Sequence, residues 1–484
     1  MKKISLALII IIGISFSCTK DFEEFNTDKK NPTEVPSGFL FANSLKALGD
    51  QMASTNVNLN VFKLWAQYWT ETTYTDEANY DIINRTIADL TFREWYRDVL
   101  SDLNDAKKAI EGEAAEGATA IAEKQNKLSV VNIVEVFCYM RLVDIFGNVP
   151  YTEACDIDNI SPVYDDAATI YDDLLARLDN ALSEINDGHG SFGGDDVFFH
   201  GDVAMWKKFA NTLKVRIGTN LADVSGDKAK EAIEGAYMNA FAAGEICEIQ
   251  YETGSMANPL YQDMVQSGRD DFVAANTIVD IMNNLNDPRR WSYFDTNLGE
   301  DTFLGGEYGE SSAFSQYSHA ALEIQEPDYP YTILDYTELC FYLAEAAARG
   351  YNVGGSAEEW YNNGIMASME HWGVSTADAE AYMAQADVAW STAPGDWKQK
   401  IAVQEWLAFY IRGLEGWTTW RRLDWPEFNL PPAPESDDGQ VPKRFTYPVN
   451  EQTLNADNYM SASEAIGGGT YADYMSTKIF WDVN

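Results

Sequence analysis

Zinc hydrolysis and proton transfer near neutral pH both lean on histidine, and the chain has four: His189, His200, His319 and His371. None stands in an HExxH spacing, which would put two imidazoles on one helix face. His189, in Asp187-Gly188-His189-Gly190, and His200, beside Gly201, read as turn residues. No GxSxG nucleophile elbow and no GKS or GKT phosphate loop occurs. Carboxylates are too plentiful to inform: among 76 acidic residues, a pair at glycosidase separation arises by chance. The five cysteines contain no CxxC pair, which disfavours zinc. Cys138 and Cys340 lie in apolar helical runs, where free cysteine packs as a small hydrophobe. With Cys18 set aside, Cys138, Cys155, Cys247 and Cys340 allow one disulfide, two, or none. No cofactor is expected. So acidic a chain has oxygen ligands for a structural calcium, yet the spaced acidic loop of an EF-hand is missing.

Binding chemistry is better represented. Trp69, Tyr74 and Tyr80 fall in a polar stretch between the first helices, and Tyr261, Arg269, Tyr308, Phe314 and Tyr317 fall in a glycine-rich segment. A neutral oligosaccharide offers hydroxyls and flat apolar ring faces, which aromatic platforms and a few amides or carboxylates match. An oligopeptide offers backbone groups, which Asn, Gln, Ser and Arg near aromatic pockets match. Each candidate has a packing alternative. Trp69 follows Trp65 by four residues and Phe62 by seven, a helical stripe that would bury it. Tyr74 and Tyr80 stand among Thr72, Thr73, Thr75, Asp76, Glu77 and Asn79, neighbours that favour exposure. Trp291, just behind Asp287-Pro288-Arg289, is expected to pack beneath the loops.

Charge and the amino-terminal residues bound the setting. With 34 Lys and Arg against 76 Asp and Glu, the net charge of −42 repels nucleic-acid phosphates and bare anionic membranes. Hydrophobic residues at 46% supply a large core, so the acidity belongs to a folded body. Lys2 and Lys3 precede an apolar run from Ile4 to Phe16, with the small Ser17 before Cys18: a secretory leader too short to span a bilayer. Cleavage before Cys18 would leave it as a lipidated first residue, giving a leader at 1–17 and a lipid-bearing tether at 18–36, where Asn31-Pro32 and Val35-Pro36 break any period. The bland alternative is ordinary secretory cleavage beside an incidental cysteine.

The elements that must position the aromatic loops are helices. Phe92, Trp95, Tyr96, Val99, Leu103, Ala106 and Ile110 recur at three- and four-residue steps. Leu128 to Phe146 is apolar enough to be buried on several sides. Tyr171 to Ile185 and Trp206 to Ile217 repeat the first pattern, and helical blocks follow at Leu334 to Arg349, Trp360 to Val374 and Lys398 to Leu414. Amphipathic helices in adjacent pairs predict a mainly α, tetratricopeptide-like scaffold in which neighbours complete one another's core. The segment from Gly254 to Pro330 and the tail after Trp425 mix Gly and Pro with aromatics and read as a loop-rich, irregular cap. One domain is therefore expected over 37–484, with the scaffold mainly at 37–250 and 331–425 and the cap mainly at 251–330 and 426–484.

Several strings in order now carry a resemblance. Arg141-Leu142-Val143-Asp144-Ile145-Phe146-Gly147-Asn148-Val149-Pro150-Tyr151 is followed by Gly201-Asp202 with Trp206-Lys207-Lys208-Phe209-Ala210-Asn211-Thr212-Leu213-Lys214-Val215-Arg216. Then come Asp287-Pro288-Arg289, Leu343 to Gly350, Tyr361 to Ile365, Trp417-Thr418-Thr419-Trp420-Arg421-Arg422 and Arg444-Phe445-Thr446-Tyr447-Pro448. Together they resemble the SusD/RagB family, in its second large branch, and Lys20-Asp21-Phe22-Glu23-Glu24 resembles the export tag of Bacteroidetes surface lipoproteins. The resemblance implies an outer-membrane, surface-exposed lipoprotein anchored through Cys18, a lid over a SusC-like TonB-dependent transporter, and binding without catalysis. The ligand it implies is an oligosaccharide, with an oligopeptide as the alternative; a hydrolase and a purely structural surface lipoprotein are the rivals from other classes. The motifs themselves look structural: Gly147 stops a helix, Pro150 prevents its continuation, and Arg216 or Arg421 pairs with buried acids.

Overall fold

The computed structural model describes residues 35–484. The leader, Cys18 and residues 19–34 of the tether lie outside the described residues. The chain enters α1 (Ser37–Ala53) and reaches α2 (Ile87–Arg93), which runs through a π-turn at Glu94–Leu100 into α3 (Ser101–Gly112). α4 (Gly117–Phe146) packs on α5 (Ala167–Glu184), and α6 (Val203–Leu221) on α7 (Gly226–Ala236). After the short α8 (Asn276–Asn284) come two more pairs, α9 (Tyr336–Ala348) with α10 (Ala357–His371), then, past α11 (Thr376–Met383), α12 (Trp397–Ala408) with α13 (Gly413–Leu423); α14 (Ala456–Ile466) closes the chain. The paired helices are the mainly α, tetratricopeptide-like scaffold that the periodicity predicts.

Local chemistry sets several of the boundaries. Asp166 and Asp202 cap α5 and α6 by accepting from the amides of Thr169 and of Ala204 and Met205, and Ser356 with Glu359 forms a capping box at the start of α10. α4 ends where Gly147 takes φ 86° and donates its N–H to the Val143 carbonyl, the expected stop. Two expectations fail. The apolar stripe Phe62, Trp65, Trp69 is helical only over Phe62–Trp65, because Trp69 begins a strand. The block Lys398 to Leu414 is two helices, broken at Phe409–Arg412, where Ile411 turns to φ 65°.

Six short strands are described: β1 (Trp69–Glu71), β2 (Val149–Pro150), β3 (Tyr164–Asp165), β4 (Ile246–Ile249), β5 (Phe272–Ala274) and β6 (Tyr331–Asp335). They pair as antiparallel ribbons β1 with β5, β2 with β3 and β4 with β6. Between β5 and β6 the chain is largely irregular, with α8 its longest helix. No described helix is long and apolar enough to cross a membrane.

A buried ionic cluster ties the helix pairs together. Arg216 of α6 lies 2.9 Å from Glu338 of α9 and 3.6 Å from Glu415 of α13, while Arg141 of α4 and Arg412 close on the same two acids. Burial works against the Glu415 charge, but Arg141, Arg412 and Arg216 outweigh it and hold its pKa down at about 2. Arg421 behaves differently. Its Nη1 donates to the carbonyls of Asp144, at 2.7 Å, and Lys443, at 2.9 Å, and its guanidinium lies over the Trp417 and Trp481 rings. Of the two arginines expected to meet a buried acid, Arg216 does so. The four cysteines after Cys18 are all free.

Candidate functional site

The ribbon of β1 and β5 brings residues about two hundred positions apart in the chain onto one face. Its register is Trp69 to Ala274, Thr70 to Val273 and Glu71 to Phe272. Pairing continues past β1, where the Thr72 amide and hydroxyl donate to the carbonyls of Asp271, at 2.9 Å, and Asp270, at 2.6 Å. A third segment locks on beside it. Gly309 N–H donates to Thr70 Oγ1 at 3.0 Å, Ser311 Oγ to the Thr72 carbonyl at 2.6 Å and Ser312 N–H to the Glu71 carbonyl at 3.3 Å. Loops 72–80, 267–271 and 309–319 therefore share one edge of the molecule.

On that edge Tyr74 is 62% exposed. Arg269 is also exposed, held by Asp271 through Nε at 2.5 Å and Nη2 at 3.1 Å. Phe314 is half-buried and lies flat on His319, with ring centroids 3.6 Å apart and planes 13° from parallel. His319 Nε2 sits 2.8 Å from the Phe314 carbonyl, and Asn297 Nδ2 donates to the Tyr317 carbonyl at 2.9 Å. This is an aromatic surface whose loops are tied together by side-chain and backbone hydrogen bonds.

Three of the expected residues belong elsewhere. Trp69 is 1% exposed, with Nε1 donating to Tyr410 Oη at 2.9 Å, because its strand is covered on both sides. Tyr80 is 0% exposed and packs edge-on against Trp65, and Tyr308, 3% exposed, stacks obliquely on Tyr80. As core side chains they offer no ring face to solvent. Tyr261, half-buried in a short helix capped by Asn258, makes no hydrogen bond or ring contact with the Tyr74 group among the described residues. Trp291, expected beneath the loops, is 46% exposed, set edge-on to Phe303 with the Arg290 guanidinium 5.1 Å from its ring.

Residues that the sequence did not single out also shape the face. His319 supplies the second ring of the Phe314 stack, a pairing five residues apart inside an irregular loop that no periodicity reveals. Glu71 and Glu77 form a buried acid pair under loop 72–80. Burial raises the Glu71 carboxyl to about 10, with the Glu77 charge adding to the rise, and Arg85 Nη1 lies 2.9 Å from Glu77. Two neighbouring carboxyls, one with its pKa raised, are what glycoside hydrolysis uses. Both side chains are buried, however, and no sugar reaches them here. Among the described residues no cluster of three or more His, Cys, Asp or Glu side chains could hold a metal.

A family profile described as SusD-like_2, starch-binding and associating with the outer membrane, matches residues 29–448. Among curated proteins no sequence matches this chain significantly. Solved structures match almost end to end. A chitin-binding protein shares 25% identity at a TM-score of 0.78, with 93% of this chain and 100% of that one covered. A chitin-binding SusD homologue from Flavobacterium johnsoniae shares 22% at 0.78, covering 92% and 99%. A SusD homologue from Parabacteroides distasonis shares 20% at 0.79, covering 93% and 98%.

Proposed function

The chain belongs to the SusD-like family of outer-membrane-associated binding proteins, and from that premise we propose that it captures oligosaccharide at the cell surface and passes it to a SusC-like TonB-dependent transporter. Its anchor in this reading is a lipid on Cys18. The observation that carries the binding half is the edge built by β1, β5 and loop 309–319, where Tyr74, Phe314 and His319 offer ring faces and Arg269 offers its remaining Nη1 donor. Flat rings beside fixed polar groups suit the alternating apolar faces and hydroxyls of a sugar chain. The likeness to a chitin-binding protein supports a glycan over a peptide.

Calorimetric titration with chito-oligosaccharides, malto-oligosaccharides and a mixed tripeptide-to-hexapeptide set tests it. Glycan binding that falls by about tenfold or more in Tyr74→Ala and in Phe314→Ala, at unchanged melting temperature, is expected. Binding of peptides alone would replace the ligand, and turnover of any glycan would replace the binding role with a hydrolase. Metabolic labelling with palmitate tests the anchor: label on the wild type and none on Cys18→Ala is expected.

A further inference from the structure

A cleft of about 490 Å³, lined by none of the residues of the Tyr74 edge, opens between the C-terminal end of α8, α12, the loop after α11 and the tail at Trp425–Glu427. Its size lies within the range of roughly 300–1,000 Å³ in which proteins enclose small ligands. Leu285 and Val403 give it an apolar floor, and the half-buried Trp425 forms one wall. At its rim Asn284, Gln399, Asp387 and Glu427 make no side-chain hydrogen bond within the described residues. The rim therefore carries amides and carboxylates whose bonding capacity is unspent.

We propose that this cleft is a second saccharide subsite, taking a neutral sugar unit of the glycan whose capture is proposed above. Charge selects against other ligands. Asp387 and Glu427 repel anions, and the cations beside the cleft are engaged: Lys400 Nζ donates to the Trp390 carbonyl at 2.7 Å and lies 5.6 Å from that ring, and Arg289, behind Gln404, is held by Asp287 at 2.6 Å. An extended peptide would need free backbone partners, and the walls supplied by α8 and α12 have theirs within the helices. A ring face on Trp425 with amide and carboxylate partners for hydroxyls remains as the fitting chemistry.

The same tail connects the two places. From Trp425 it runs to Asn429, whose N–H donates to Gln67 at 2.9 Å, and on to Ala433 and Glu435, whose amides donate to Asn79 at 3.0 and 2.7 Å in the loop that carries Tyr74. Titration of the purified chain with chitobiose, chitotriose and maltotriose reads the subsite directly. The expected result is two sites for a short glycan, reduced to one in Trp425→Ala and in the Asn284→Ala, Gln399→Ala double variant, and to the other one in Tyr74→Ala. The double variant replaces rim groups only, so an unchanged melting temperature separates lost binding from lost fold. A single site that both cleft variants leave intact overturns the subsite while keeping the glycan reading. Silence of the wild type toward every sugar overturns the glycan reading, and the subsite with it.

Discussion

Glu71 lies under the loop that presents Tyr74, and its carboxyl is lifted from 4.5 to about 10 by burial and by Glu77. An acid whose folded pKa lies above its unfolded one binds more protons folded than unfolded between the two values. Stability therefore falls as pH rises across that window, being fully present below it. Glu71→Gln keeps the neutral hydrogen-bonding shape and removes the titration. Its melting temperature should exceed the wild type's at pH 8 by roughly 2 °C or more and converge with it near pH 5; parallel profiles would show that the Glu71 carboxyl is not raised. Trp69 and Tyr74 make a contrasting pair five residues apart. Trp69→Ala empties a buried site and should cost about 3–5 kcal/mol in denaturant unfolding, whereas Tyr74→Ala should stay within about 0.5 kcal/mol.

Elements explain which parts were legible beforehand. Periodic stripes such as Tyr171 to Ile185 announce themselves because a helix buries one face against its neighbour in sequence, and those segments emerged as α5 and its companions. The chain at 409–412 hides its break, since an isoleucine at φ 65° looks like one more apolar helical residue. The site suffers from distance instead. Tyr74 could be read as exposed from its polar neighbours, yet Tyr80, in the same surroundings, is covered by Tyr308 and Trp65, and the partner from residue 308 is brought in by long-range bonds of the 306–312 segment that local pattern does not contain. Close approach between elements gives a further test. A methyl group on Gly413, at the start of α13, would stand 2.3 Å from the Lys63 amide nitrogen and 2.4 Å from the Phe62 carbonyl carbon. Backbone cannot swing aside as a side chain can, so Gly413→Ala should destabilise by about 2 kcal/mol or more in urea unfolding. Tolerance of the methyl group would mean that α13 sits farther from Phe62–Trp65.

At the scale of the molecule, two electrostatic effects run in opposite directions. A net charge of −42 makes the folded body repel itself. Raising NaCl from about 10 mM to about 150 mM shortens the screening length from roughly 30 Å to 8 Å and should raise the melting temperature; a fall would show that surface ion pairs outweigh the repulsion. The buried cluster answers to pH instead. Glu415, held down at about 2 by Arg141, Arg412 and Arg216 against the cost of burial, contributes stability above its unfolded pKa of about 4.5 that is lost as pH drops toward 2. Glu415→Ala strands the buried Arg141, leaves Glu338 as the one shared acid for Arg216 and Arg412, and should cost about 3–5 kcal/mol. The bonds from Ala433 and Glu435 back to Asn79 carry a consequence for biogenesis. A nascent chain can complete the early helix pairs while translation continues. The loop that bears Tyr74 gains its last supports only when the tail emerges, and the same tail brings Phe445 and Trp481 into the core, so chains truncated before residue 433 should lose ligand binding and cooperative unfolding together.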